Sequence, residues 1–118
     1  MNTLRERLDA LNALVARFDY ETAHDRFYHR DLIKHENEQA PTIGLAAHRA
    51  EMQLFLAKIE NARAECLQTT VLDQHTATLW QYTFDHADWG SRSFKQLSVQ
   101  HWKDDRIIHE RHHYAMGG

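Results

Sequence analysis

The chain has 118 residues, of which 42% are hydrophobic and 26% are charged, a balance typical of one globular domain. A formal net charge of -3 without any Lys/Arg block argues against a nucleic-acid-binding protein. No apolar run approaches the roughly 20 residues of a membrane span, and MNTLRERLDA lacks the apolar core of a signal peptide. We therefore expect a single cytoplasmic domain, residues 1–118, that binds neither nucleic acid nor membrane.

The first helical signals lie near the N-terminus. Thr3 and Glu6 have the spacing of a capping box, and the apolar residues that follow recur at three- and four-residue steps. These residues are Leu4, Leu8, Leu11, Val15 and Phe18. Asp19 is placed to cap a second, shorter helix that reaches Phe27. The sequence thus predicts two helices before the first strand.

A third helix is predicted after the only proline. Pro41 and Gly44 end an extended segment, and the helical period then returns from Leu45 to about Asn61. His48 lies on the apolar side of this helix, where a buried imidazole with satisfied hydrogen bonds is expected.

Five segments are predicted to be extended because they are rich in Thr, Val, Ile and aromatic residues or are bounded by turn residues. They are Leu32–Glu38, Glu65–Leu72, Thr76–Phe84, Ser93–Trp102 and Ile107–Tyr114. The last four are separated by short turn sequences and therefore pair as antiparallel neighbours. This order of elements indicates an α+β domain in which a curved sheet wraps against helices. Cys66, alone in its strand, cannot form an internal disulfide and is expected to be a small buried side chain.

The segment HERHH, residues 109–113, matches the H-E-x-x-H pattern of zinc proteases. That motif requires a helix, which places both histidines on one face. In a strand, His109 and His113 are about 13 Å apart at ~3.3 Å per residue. Zinc ligands lie near ~2 Å from the metal, so the two cannot share one ion. We predict a strand here, and no metal site.

Alternation divides this predicted strand into two faces. One face, which mixes apolar and ionisable groups and suits a pocket wall, consists of Ile108, Glu110, His112 and Tyr114. The other face, which suits solvent or a subunit contact, consists of Ile107, His109, Arg111 and His113.

Three stretches resemble the SnoaL-like polyketide cyclases and the wider nuclear transport factor 2-like superfamily, which includes ketosteroid isomerase. They are FYHRDLIKHEN at 27–37, the Ile-Gly pair and helix at 43–59, and VQHWKDDRIIHERHHY at 99–114. The resemblance spans almost the whole chain, and its motifs specify the fold more than the chemistry. The family's usual turn glycine is Asp105 here, and its usual proline after the "h-d" pair is Asn37.

The resemblance implies a cystatin-like conical barrel of the α+β class, with three helices from the N-terminal half packed on a curved, mostly antiparallel sheet. It also implies a small-molecule pocket between helices and sheet, and a homodimer through the outer sheet face. The general base of ketosteroid isomerase falls at Glu36, and its second acid falls at or near Ser98. The isomerase's helix-1 tyrosine has no counterpart, since Leu11 or a neighbour occupies that region, so its oxyanion hole is not expected.

The inward register of the family places a mostly aromatic wall with a few polar groups around the pocket, as in small-molecule sites. Its residues are Lys34, Glu36, Trp80, Tyr82, Phe84, Ser98, Gln100, Trp102, Glu110, His112 and Tyr114. Because Leu97 and Val99 form the apolar face of their strand, Ser98 and Gln100 could instead face water. A one-residue slip exchanges the two arrangements.

Three of these residues are candidates for catalysis. Glu36 is the candidate base, because an apolar cleft raises the pKa of a carboxylate towards neutrality. Equally, Glu36 could pair with Lys34 and only close the pocket mouth. Glu110 and His112 share one strand face and form either a proton-transfer pair or a hydrogen-bonded structural patch.

Three functions remain open on the sequence. The first is cofactor-free acid–base chemistry of the isomerase, cyclase or hydratase type on an apolar carbonyl or cyclic substrate, catalysed by Glu36, His112 and Glu110. The second is a non-catalytic ligand-binding or dimerisation module of the same fold. The third is a metal site across strands, for example with His101, His109 or His112, which ranks last because the ligand spacing is weak.

Overall fold

A computed structural model describes residues 3–116 of the chain, and this range contains three helices and six strands. The helices are α1 (Leu4–Ala16), α2 (Tyr20–Phe27) and α3 (Leu45–Ala57). The strands are β1 (Tyr28–Glu36), β2 (Thr42–Ile43), β3 (Ile59–Leu72), β4 (His75–His86), β5 (Gly90–Lys103) and β6 (Arg106–Tyr114). Among the helices of this range, none has the length and apolar character required to traverse a lipid bilayer.

The six strands form one sheet in the order β2-β1-β6-β5-β4-β3. Strands β3 to β6 pair with their chain neighbours as antiparallel hairpins, as predicted, whereas β1 lies parallel to β6. All three helices pack on the concave face. The predicted α+β architecture, three helices on a curved and mostly antiparallel sheet, is confirmed.

The hydrophobic core lies between α1, α2 and the concave sheet face. Helix α1 begins with the predicted capping box: the Thr3 hydroxyl accepts from the Glu6 amide at 3.1 Å, and the Glu6 carboxylate accepts from the Thr3 amide at 3.2 Å. Its apolar stripe then buries Leu8 and Leu11 completely against the sheet. On β4, every second residue from Thr76 to His86 is buried, so one face of this strand provides most of the opposing wall.

Several boundaries differ from the sequence predictions. Helix α3 ends at Ala57 instead of about Asn61, and β3 begins at Ile59 instead of Glu65. The cause is tertiary pairing, because Ile59 lies opposite His86 on β4 and draws the segment into the sheet. Strand β1 begins at Tyr28, before the predicted start at Leu32, and the short β2 was not predicted.

Two burial predictions were wrong. Cys66 is exposed, because β3 is an edge strand with few elements covering it. On β6, Ile107 is fully buried, whereas Ile108 is only partly buried. The physical reason is a β-bulge: Trp102 pairs with Ile107 and His101 pairs with His109, which leaves Ile108 as an extra residue that reverses the alternation.

The HERHH segment lies within strand β6, so the strand prediction is confirmed. In residues 3–116, no group of three or more His, Cys, Asp or Glu side chains is arranged to hold a metal ion.

Candidate functional site

A cavity of about 390 Å³ opens between the helices and the concave face of the sheet. This volume lies in the range of roughly 300–1,000 Å³ that is usual for small-molecule sites. Its aromatic lining consists of Tyr20, Tyr28, Phe55, Trp80, Tyr82, Phe84, Trp89, Phe94 and Tyr114. Its polar lining includes Lys34, Glu36, His48, His86, Gln96, Ser98, Gln100, Glu110 and His112. The cavity therefore combines an apolar wall with a concentrated set of acid–base groups.

The register of β5 resolves the alternative left open by the sequence. Ser98 and Gln100 are buried with 2% and 3% exposure, and both line the cavity, whereas Leu97 is 39% exposed on the outer face. Trp102, which we expected in the pocket, is not among the lining residues. It packs in the core against Phe27 at a ring distance of 6.2 Å, and its indole N–H donates to the Thr76 hydroxyl at 2.9 Å.

Glu110 is a fully buried carboxylate at the floor of the cavity, with 2% exposure. The Tyr28 hydroxyl donates to Oε2 at 2.7 Å, and the Gln100 amide donates to the same oxygen at 2.9 Å. Oε1 lies 3.2 Å from His112 Nε2. Three donors from β1, β5 and β6 thus surround one negative charge, as a buried carboxylate requires.

The surroundings of Glu110 favour its ionised form. Burial raises the pKa of this carboxyl, but the positive charge of protonated His112 and the hydrogen bonds from His112 and Gln100 outweigh burial and lower the pKa to about 2. Burial also raises the pKa of Tyr20 to about 12 and holds the pKa of Tyr28 well above its usual value. At neutral pH the site therefore combines one carboxylate with phenols that keep their protons.

His112 connects this carboxylate to β5. Its Nδ1 lies 2.8 Å from the Ser98 hydroxyl and 3.1 Å from the Gln96 amide nitrogen. When the ring is neutral, an Nε2–H donated to Glu110 leaves Nδ1 as an acceptor directed at Ser98 and Gln96. Glu110 thus orients His112 in the manner of the carboxylate in a catalytic triad.

Glu36 lies at the edge of the cavity, with a side chain that is 36% exposed. Its Oε2 is 3.0 Å from Lys34 Nζ, and its Oε1 accepts from the Tyr114 hydroxyl at 3.1 Å. Lys34 also contacts Glu51 at 3.1 Å. Burial lowers the pKa of Lys34, but the two glutamates outweigh burial and raise it, so this lysine stays charged. The contacts of Glu36 match the pocket-closing arrangement considered from the sequence.

Comparison with known proteins was made by sequence and by structure. No protein-family model matches the sequence, and no curated protein sequence matches it. A protein from Mesorhizobium loti classified as a SnoaL-like polyketide cyclase is 17% identical, with a TM-score of 0.82 over 94% of this chain and 98% of that one. A nuclear transport factor 2-like protein of unknown function from Burkholderia pseudomallei is 11% identical, with a TM-score of 0.82 over 98% and 93%. An epoxide hydrolase from M. tuberculosis is 12% identical, with a TM-score of 0.75 over 92% and 80%.

The chain has the nuclear transport factor 2-like fold. The structures from Mesorhizobium loti and Burkholderia pseudomallei superpose on it over nearly the full length of each chain, as the resemblance of the three sequence stretches implied. At identities this low, the similarity establishes the fold and leaves the reaction open.

Within the nuclear transport factor 2-like fold, the structure brings together residues that the sequence analysis did not assign to the site. Tyr28, the first residue of β1, reaches Glu110. His24 on α2 and His48 on α3 contact each other with ring centroids 4.6 Å apart, and His48 lines the cavity. Within residues 3–116, His24 Nε2 and His48 Nδ1 are buried without a hydrogen-bond partner, so the expectation of a satisfied His48 was wrong. In the sequence, a histidine within the apolar stripe of a helix predicts only that its ring is buried. The contact with His24 could not be predicted, because His24 lies on another helix.

Aromatic rings from α3 and the β4–β5 turn also line the cavity, and at Trp89, which is 43% exposed, this lining reaches the protein surface. His86 stacks on Trp89 with ring centroids 3.7 Å apart, and its Nδ1 accepts from the Asp88 and Trp89 amides. The acceptor role of Nδ1 fixes the tautomer with a proton on Nε2. Phe55 packs beside Trp89 at 6.4 Å. This part of the lining is therefore flat and largely apolar.

Proposed function

We propose that this protein is a cofactor-free acid–base enzyme that acts on an apolar carbonyl compound or cyclic substrate. The observation that carries this proposal is the His112–Glu110 pair, with 3.2 Å between Nε2 and Oε1, at the floor of an aromatic cavity. Because hydrogen bonds hold the buried Glu110 carboxylate in place, its negative charge stays beside His112 and stabilises the ring when it takes up a proton. The site therefore centres on His112, with Glu110 as its positioning residue.

The proposed reaction begins with a proton on the carbon next to a substrate carbonyl. His112 Nδ1 removes this proton, and the resulting imidazolium is stabilised by the Glu110 carboxylate. Negative charge develops on the carbonyl oxygen and needs a hydrogen-bond donor in the cavity. Tyr20 suits this role, because it lines the cavity and its phenol O–H is a hydrogen-bond donor. Return of the proton to another position completes an isomerisation. In a cyclisation, the carbanion attacks a second carbonyl carbon, and the oxygen of that carbonyl takes up the proton from His112.

Glu36 is the competing candidate for the base. Both of its oxygens are engaged, one by Lys34 and one by the Tyr114 hydroxyl, and the side chain is partly open to solvent. Neither oxygen is therefore free to approach a substrate C–H unless one of these contacts breaks. We therefore propose that Glu36 closes the cavity edge, and that its replacement leaves proton transfer largely intact.

Structural neighbours support a small-molecule role. They include proteins classified as polyketide cyclases and an epoxide hydrolase, names that refer to chemistry on small organic molecules. The alternative is a non-catalytic binding module, favoured by the fact that both ring nitrogens of His112 already have partners. The enzyme would transfer a proton between the ligand and His112, whereas the binding module would not.

Hydrogen–deuterium exchange of cyclic ketones measures this proton transfer without the natural substrate. A panel of cyclohexanone, decalone and tetralone is incubated with the protein in deuterated buffer, and loss of the α-proton signal is followed by NMR. We expect the wild type to accelerate exchange of at least one ketone. We expect His112→Gln to reduce the rate by about 100-fold or more, as for loss of a general base. Glu36→Gln, the matched control, should retain most of the rate.

Each outcome has a defined meaning. If Glu36→Gln loses exchange while His112→Gln keeps it, the base is Glu36, as the family resemblance implied. If the wild type binds these ketones, measured by a thermal shift, without accelerating exchange, the binding-module alternative replaces the enzyme. Circular dichroism of each variant confirms that the comparison concerns folded protein.

We also propose a homodimer through the outer sheet face. Leu79 on β4 lies opposite Leu97 on β5, and Leu97 is 39% exposed in the single chain. His113 on β6 is the register partner of Leu97, and His101 and His109 pair with each other further along the same strands. Light scattering after size exclusion should give twice the chain mass for the wild type, and Leu97→Glu should give the monomer mass. A monomeric wild type would contradict the proposal.

A cytoplasmic location and the absence of nucleic-acid binding remain predictions from the sequence.

A further inference from the structure

We propose that Ser98 is a nucleophile, and that Ser98, His112 and Glu110 together hydrolyse carboxylic esters with an apolar acyl group. The inference rests on the proposed function in one respect, since it uses the same base, His112. It adds a second reaction type, because the attacking atom is a protein oxygen and a covalent acyl-enzyme is formed.

The sheet itself fixes the geometry of these three residues. Ser98 and His112 are register partners on β5 and β6, and Gln100 and Glu110 are the next inward-facing pair. Ser98 Oγ lies 2.8 Å from His112 Nδ1, and His112 Nε2 lies 3.2 Å from Glu110 Oε1. Nucleophile, base and orienting acid thus occur in hydrogen-bond sequence, as in the catalytic triads of serine hydrolases on other folds.

Glu110 is held in the orientation that this role requires. Tyr28 and Gln100 both donate to Oε2, which leaves Oε1 for the His112 ring. Gln100 is itself fixed, because the Thr76 hydroxyl donates to its carbonyl at 2.8 Å. In a triad, the carboxylate selects the tautomer and stabilises the imidazolium that forms. Here that tautomer carries its proton on Nε2 and exposes the Nδ1 lone pair to the serine hydroxyl.

The surroundings of Ser98 supply the remaining parts of an acyl-transfer site. Ser98 is buried on the cavity wall with 2% exposure. The Gln96 side-chain nitrogen lies 3.2 Å from Ser98 Oγ, where its N–H groups can donate to an oxyanion that forms on the attacked carbon. Aromatic side chains such as Trp80 and Phe94 line the same cavity and suit an apolar acyl chain.

The proposed reaction balances with water as the only co-reactant. The Ser98 hydroxyl proton passes to His112 Nδ1 while Oγ bonds to the ester carbonyl carbon, and the carbonyl electron pair moves onto oxygen. Collapse of this intermediate breaks the bond to the alkoxy group, which leaves as an alcohol with the proton from His112. Water then attacks the acyl-enzyme with His112 again as base, and the carboxylic acid leaves while Ser98 regains its proton.

The test uses a fluorophosphonate, which phosphonylates activated serines, together with p-nitrophenyl butyrate. Mass spectrometry of the intact wild-type chain should show one adduct, and peptide mapping should locate it at Ser98. Release of p-nitrophenol should fall by about 100-fold or more in Ser98→Ala and in His112→Gln. Ser93→Ala is the matched control, since Ser93 is an exposed serine on the same strand, and it should behave as wild type.

The outcomes separate this inference from the proposed function. No adduct and no ester cleavage in a wild type that still exchanges ketone protons would overturn the nucleophile and leave His112 as an acid–base residue. An adduct on any residue other than Ser98 would also overturn it. An adduct at Ser98 with no ketone exchange would support the nucleophile and contradict the proposed function. Because the adduct is mapped in the wild type, the conclusion does not depend on a variant that folds.

Discussion

Acidification from pH 7 to about pH 4.5 is expected to lower the free energy of unfolding by about 5 kcal/mol and to unfold much of the protein. The cause is the pair of buried histidines. Burial lowers the pKa of His24 to about 4 and that of His48 to about 3, against an ordinary value of 6.5. In the unfolded chain both rings take up protons as the pH falls below 6.5, whereas in the folded chain they remain neutral. The contribution of these two neutral rings to the free energy of unfolding is therefore fully present above pH 6.5. It is lost as the pH falls towards the pKa values of the folded state.

The expected size of this effect follows from the linkage relation. Each histidine contributes about 1.4 kcal/mol per pH unit while only its unfolded form titrates. Two histidines over two pH units give about 5 kcal/mol, which is comparable with the total stability of about 5–15 kcal/mol of small domains. Glu110 contributes in the same direction at lower pH, because its folded pKa of about 2 lies below its ordinary value of 4.5.

Urea unfolding at several pH values between 7 and 4.5 measures this dependence. His24→Phe removes one of the two rings while keeping an aromatic side chain beside Tyr20 and Tyr28, and it should roughly halve the slope of stability against pH. Ile107→Val is the control, because it trims a buried aliphatic side chain and removes no titratable group, so it should lower stability equally at every pH and leave the slope unchanged. Stability that stays constant down to pH 5 would contradict the assignment of neutral buried rings.

Replacement of Glu110 by alanine is expected to lower the free energy of unfolding by about 3–5 kcal/mol, the usual cost of removing one partner from a buried charged network. The variant leaves the Tyr28 hydroxyl, the Gln100 amide and the His112 ring without their acceptor. Each such buried donor costs about 1–3 kcal/mol, partly recovered if water enters the space. We also expect loss of ketone exchange, because His112 no longer has its orienting carboxylate.

Glu36→Ala provides the contrast in the same urea experiment. Glu36 is partly exposed, and Lys34 keeps Glu51 as a second partner, so we expect a loss of only about 1 kcal/mol or less. Equal destabilisation by the two alanine variants would mean that Glu110 is not the charge on which the site depends. Glu110→Gln keeps the shape and one acceptor oxygen, and it should give an intermediate loss of stability.

The sequence predicted the sheet better than the helix boundaries. Alternation from Thr76 to Phe84 on β4 indicates a strand with one buried face, and the turn residues Asp73 and Gly90 on either side of it predict its pairing with β3 and β5. The end of α3 could not be predicted, because the residues after Ala57 keep a helical period and only their pairing with β4 makes them a strand. The register of Ser98 was also undecided in the sequence, because both faces of β5 carry apolar residues.

The sequence analysis named many of the residues that line the cavity, but it gave the central role to Glu36. The family resemblance directed attention to Glu36, which the structure places at the edge of the cavity in contact with Lys34. Glu110 was recognised as an inward residue, but its full burial depends on donors from three strands that no local pattern contains. Tyr28 was missed because its role follows from the parallel pairing of β1 with β6, which joins residues far apart in sequence.

The bulge at Ile108 separates β6 into two parts with opposite phase. Before it, Ile107 packs into the core, and after it Glu110 and His112 enter the cavity. In a regular strand, Ile107 and Glu110 would lie on opposite faces, so either the core would lose an isoleucine or the cavity would lose its carboxylate. The number of residues in this strand therefore matters more than the side chain at its bulge. Deletion of Ile108 would turn either Ile107 or Glu110 out of the concave face, whereas a substitution at 108 would keep both in place.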